Sequence, residues 1–214
     1  MLKYNRYEYL EDVYMRRFGF TLAEVLITLS IIGVVSAMTL PSLNSNVQNR
    51  SIESATAKMY SVLNEATQRY MTDNGIESLG DINFDPEDFV ESTLKVLTRC
   101  DNAASCFASE YKRLNNTVNN PLFANTPAYI LKDGASIQIW GERMIFVDVN
   151  GVKGPNKYNR DTWMLRILPD GSIADRAVGD TIEEQDRNFE ACREGNNQNG
   201  CFAHFVRNGF KFDY

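Results

Sequence analysis

The chain has 214 residues, of which 43% are apolar and 23% charged, an ordinary globular content that leaves room for one domain and excludes a disordered polymer. A net charge of −6, with no block of Lys or Arg, argues against nucleic acid as a partner. No G-x-S-x-G, phosphate-binding loop, H-E-x-x-H or dinucleotide fingerprint occurs, so no enzyme chemistry is expected; the single histidine, His204, lies among aromatics and reads as packed or exposed rather than as a base.

Residues 1–19 carry Lys3, Arg6, Arg16 and Arg17 against Glu8, Glu11 and Asp12. The 21 residues from Phe20 to Leu40 then hold one charge, Glu24. As a helix this run is about 30 Å long, the thickness of a bilayer's hydrocarbon core. The next basic residue is Arg50, so the positive-inside rule keeps the N-terminus cytoplasmic and translocates the rest. A secretory signal cut after Val35-Ser36-Ala37 is one reading, but the run is longer than the usual apolar region of a signal and holds Glu24. A plain membrane anchor is a second, and it leaves unexplained a carboxylate costing roughly 2.5–3.5 kcal/mol on insertion scales.

The stretch Gly19-Phe20-Thr21-Leu22-Ala23-Glu24 resembles the cleavage and methylation site of type IV pilins and type II secretion pseudopilins. It has glycine before the cut, an aromatic after it, a Thr-Leu pair, and glutamate four residues beyond the new N-terminus. Pro41 falls where that family carries a helix-bending proline. The resemblance implies a prepilin peptidase that cuts between Gly19 and Phe20 and methylates the Phe20 amine. It also implies that Glu24 pairs with the amine of a neighbouring subunit during filament assembly, which would offset the carboxylate's cost in a dry environment and set the axial register. The 19-residue leader is longer than many in the family and carries acidic residues.

From Ser42 to Asn74 apolar or small residues recur at Ile52, Ala55, Met59, Val62, Leu63, Ala66 and Tyr70, the steps of one helical face. Asp73-Asn74-Gly75 is a stop signal. One helix is therefore expected from about Thr21 to Asp73, with Pro41 bending or locally melting it and Gly33 a second weak point. Asp85-Pro86-Glu87-Asp88 starts another helix, expected to end near Arg99. Asn115–Pro127 reads as loop. Tyr129–Leu131 and Ile137–Trp140 flank Asp133-Gly134 and read as a hairpin with a I′ turn. Arg143–Val149 and Thr162–Leu168 add strands, giving an antiparallel meander over about 128–174, with the amphipathic half-helix as the cover for one face. Thr181-Ile182-Glu183-Glu184 is a capping-box pattern opening a helix to about Arg193. Phe202–Phe212 reads as a short helix or strand, a turn at Asn208-Gly209, and a terminal strand.

Four cysteines allow three connectivities. Cys100–Cys106 with Cys192–Cys201 is the simplest, and it implies an oxidising compartment. A zinc site is the rival, although zinc usually takes tighter spacing or more histidines. The segment Asp148–Asp161 joins two strands and is rich in oxygen side chains; calcium is its candidate ion, with Asp148, Asn150 and Asp161 as ligands, although the EF-hand spacing is not met.

The fold class expected is α+β: a leader at 1–19, a membrane or filament-core helix at 20–41, and a pilin-like globular domain at 42–214 with an amphipathic helix (42–74), an antiparallel sheet and a disulfide-pinned region (180–214). The function the resemblance implies is structural: a single-pass subunit of the cytoplasmic membrane with its globular domain outside, polymerising with other pilins or pseudopilins through an inner-membrane assembly platform. A competence-type pilin that binds DNA is one alternative, but the chain from Phe20 carries 18 Lys/Arg against 25 Asp/Glu. A secreted or anchored domain of other activity is the second.

Overall fold

The computed structural model describes residues 19–121, 125–141, 143–177, 179 and 181–214, with the backbone alone for 40–44. Apart from Gly19, the expected leader lies outside the described residues. The chain divides into two units, Met1–Ser45 and Asn46–Tyr214, and helix α1 (Leu22–Asp73) begins in the first and ends in the second.

In the first unit the side chains from Phe20 to Thr39 are exposed all round except for half-buried Ser36. Leu22–Thr39, with a mean hydropathy of 2.0, is the one candidate among the described residues long and apolar enough to cross a membrane. A helix apolar on every side has no water-facing stripe and must be buried in something else. Three of its hydroxyls suit such a place: Thr28 donates to the Val25 carbonyl, Ser30 to Leu26 and Thr39 to Val35, at 2.8–2.9 Å, so these three need no water. The backbone stays helical through Pro41, and the local melting expected there is absent.

In the second unit the same helix is one-sided. Ile52, Met59, Leu63, Ala66 and Tyr70 are buried against the sheet residues Ile137, Ile139, Ile145, Val147, Trp163 and Leu165. Leu63 is fully buried, worth about 1.5–3 kcal/mol of apolar transfer. Two polar links fix the helix over the sheet: Trp163 Nε1 donates to Thr56 Oγ1 at 3.3 Å, and Thr67 Oγ1 to the Gly171 carbonyl. Gly171 has φ +84°, and a Cβ there would lie 2.7 Å from Met71 Sδ, so the turn can approach α1 only as glycine.

The sheet has six strands in sequence order, all neighbours antiparallel: β1 (Val96–Cys100), β2 (Ala128–Leu131), β3 (Ser136–Trp140), β4 (Met144–Asp148), β5 (Thr162–Ile167) and β6 (Ile173–Asp175). It is wider than the meander read from sequence. Helix α2 (Pro86–Thr93) is capped by Asp85, whose carboxylate accepts from the Glu87 and Asp88 amides, but it stops at Thr93 rather than near Arg99. Val96 to Cys100 pairs with β2 instead, because β-branched Val96 and Thr98 fit an edge strand and a paired backbone outweighs one more helical turn. The β2–β3 turn is not I′. Gly134 alone in it has positive φ, and Leu131 N bonds to Ala135 O, so a three-residue loop closes on a left-handed glycine.

The alternation that buries one face of the sheet under α1 sends Ala128, Phe146 and Met164 to the other, where Phe107, Tyr111 and Tyr158 from irregular segments cover them. The sheet is thus packed on both faces, with the second cover supplied by loops. Helix α3 (Ile182–Arg193) opens with the capping box of Thr181 and Glu184, and α4 (Cys201–Arg207) follows. The terminal strand expected after Asn208 does not form. Residues 210–214 instead lie across the aromatic core, where Lys211 Nζ and the Phe212 amide both reach the buried Glu53 carboxylate, at 3.0 and 2.9 Å. Cys100 is bonded to Cys106 and Cys192 to Cys201, so no thiol is left for zinc.

Candidate functional site

The N-terminal residues singled out from sequence sit together at the start of α1. Gly19, Phe20 and Thr21 are exposed and not yet helical. Thr21 is the cap: its Oγ1 accepts from the Glu24 amide at 3.2 Å, while Glu24 Oε2 accepts from both Thr21 N and Thr21 Oγ1 at 2.8 Å. This is a reciprocal capping box, which satisfies helix donors that would otherwise be orphaned. Glu24 therefore has a partner within its own chain, and the T-x-x-E spacing was a readable signal for it.

Gly19 is informative for a different reason. Its φ is not in the left-handed region, and a Cβ built on it would meet nothing within 4 Å. The fold itself makes no demand for glycine at 19.

The loop between β4 and β5 brings Asp148 and Asp161 into one buried neighbourhood, each fully inaccessible. Asp148 Oδ1 accepts from the Asn150 amide at 3.2 Å and Oδ2 from the Tyr111 hydroxyl at 2.8 Å. Asp161 Oδ2 accepts from the Asn156 amide at 2.8 Å and Oδ1 from Lys157 at 2.7 Å. Asn150 Nδ2 reaches the Gly154 carbonyl at 3.1 Å, while its buried Oδ1 is unmatched. Every carboxylate oxygen thus already serves the protein's own donors. The loop is held together by these hydrogen bonds. Among the described residues, no group of three or more His, Cys, Asp or Glu side chains could hold a metal ion. Burial, with the Asp161 charge next to it, pushes the Asp148 carboxyl up to about 8. Burial also raises Asp161, against the pull of its backbone donors. Tyr111, from an irregular segment 37 residues earlier, was not legible as a member of this cluster.

His204 stacks on Phe189 at 3.7 Å between ring centroids and lies 2.9 Å from Asp213. Asp175, a buried carboxylate raised by that burial, accepts from the Gly200 and Phe202 amides and anchors the start of α4.

Residues 14–40 match a family described as the prokaryotic N-terminal methylation motif, the signature of type IV pilins and pseudopilins. No curated protein and no solved structure matches the chain.

Proposed function

We propose that this chain, which carries the N-terminal methylation motif, is a pilin-like structural subunit rather than an enzyme. A prepilin peptidase removes residues 1–19 and methylates Phe20, and the subunit then polymerises through its apolar half-helix into a type IV pilus or a secretion pseudopilus. The observation that carries the reading is that the motif at 14–40 takes in a helical stretch, Leu22–Thr39, that is apolar and exposed. Such a helix needs lipid first and neighbouring subunits afterwards.

Glu24 has one role in each setting. In the membrane its carboxylate caps α1 through Thr21. In the filament it meets the methylated amine of the adjacent subunit, a charge-assisted contact in which both partners are ionised. The paired cysteines fit a globular domain that folds outside the cytoplasm. Mass spectrometry of the mature N-terminus tests the proposal. N-methyl-Phe20 is the expected result. A mature chain beginning at Met38, as an ordinary signal peptidase would leave it, refutes the reading.

A further inference from the structure

The outer face of the sheet carries a cleft of about 390 Å³, with Tyr158 of the β4–β5 loop in its lining. Trp140, Phe146 and Met164 give it an apolar wall, and among the described residues no Asp or Glu lines it. Its donors are poorly used. Arg176, exposed, and Gln198 both direct an N–H at the same acceptor, Met164 Sδ, at 3.6 and 3.5 Å. A thioether is a weak acceptor for two strong donors. Arg176 makes no ion pair among the described residues, although the chain's net charge is −6. Asn120 also lines the cleft. Its Oδ1 is taken by the Tyr111 amide at 2.8 Å, which leaves the Nδ2 hydrogens for another acceptor.

Underused donors around a ring-lined cleft with no acid among its described residues suit a ligand that is rich in acceptors, singly anionic and apolar on one face. A guanidinium presents a planar fork that matches a carboxylate. The absence of lysine from the lining and the single arginine suit a monoanion better than a phosphate. Neutral amides pair with hydroxyl and ring oxygens, and aromatic walls pack against C–H faces. We infer that this cleft is a binding site for an acidic sugar, with the carboxylate on Arg176 and Gln198 and one ring face against Trp140. The inference does not depend on the filament reading.

The test uses the full chain in detergent micelles and calorimetric titration with sodium glucuronate, glucose and sodium glutamate. Saturable glucuronate binding is expected, at least about tenfold tighter than either glucose or glutamate, because only glucuronate meets both the guanidinium and the amides. Arg176→Gln is expected to weaken glucuronate about tenfold or more, with the near-ultraviolet dichroism of buried Trp163 unchanged. Gln198→Ala is expected to weaken it severalfold. The proposal is overturned by absence of saturable glucuronate binding to the wild type, by equal affinity for glucose or glutamate, or by an Arg176→Gln protein that is folded and binds as before.

Discussion

Replacing Glu24 with Gln separates the two roles of that residue. The wild-type carboxylate accepts from Thr21 N and Thr21 Oγ1 with one oxygen, Oε2. The amide oxygen of Gln can accept the same two bonds, and Gln is as suitable as Glu at the third position of a capping box. The start of α1 is therefore expected to survive, and with it cleavage after Gly19. What disappears is the charge. A hydrogen bond to a charged group contributes about 1.5–3 kcal/mol, which corresponds to a roughly 10- to 150-fold lower constant for adding one subunit to a filament. The assay is the ratio of sheared filament to membrane-held protein, with the processed mass of each fraction measured in parallel. Filament yield equal to wild type, from fully processed protein, refutes the assembly role of the charge. Glu24→Ala removes cap and charge together, so the Gln–Ala difference isolates the cap, which should be about 1 kcal/mol.

Two further outcomes concern the globular unit. Leu63→Ala at the centre of the helix–sheet contact leaves a cavity, since Leu63 is fully buried, and should cost about 3–4 kcal/mol in urea unfolding; a loss under 1 kcal/mol would mean the helix does not rest on the sheet as described. Asp148→Asn should change the pH dependence of stability. The folded state holds that carboxyl up to about 8 against an ordinary 3.8, so its contribution is complete below about pH 4 and is lost as pH rises toward 8, with a slope of at most about 1.36 kcal/mol per pH unit. The neutral Asn side chain should flatten that decline and gain on the wild type at alkaline pH, and parallel unfolding curves would refute the burial argument.

What could be read in the sequence was whatever local chemistry decides. Asp85 ahead of Pro86, and Thr181 three residues before Glu184, specify caps because side chain and backbone meet within one turn. The buried face of α1 was legible from spacing, and so was its need for a sheet. Val96-Leu97 was misread because two apolar residues suit a helix end and a strand equally; pairing with Tyr129–Leu131 decided between them, and pairing is non-local. The second core was invisible for a related reason. Phe107, Tyr111 and Tyr158 come from segments with no period, and only the folded sheet brings them over Phe146. In the Asp148–Asp161 loop composition suggested an ion, but it could not reveal that Asn156 and Lys157 turn their amides toward Asp161. At the N-terminus the motif was legible as a motif, while the match of Thr21 to Glu24 needed the start of α1 to be placed.

The grip on Glu53 also sets an order of events. That carboxylate is only 7% exposed, and the groups that satisfy it, Lys211 Nζ and the Phe212 amide, follow it by 158 and 159 residues. Wherever the chain appears from its N-terminal side first, as in synthesis, Glu53 is present before the groups that satisfy it. Until they follow, closing the helix onto the sheet would strand an unpaired charge, at a cost of several kcal/mol. The clasp therefore works as a timer: final packing waits for Lys211 and Phe212.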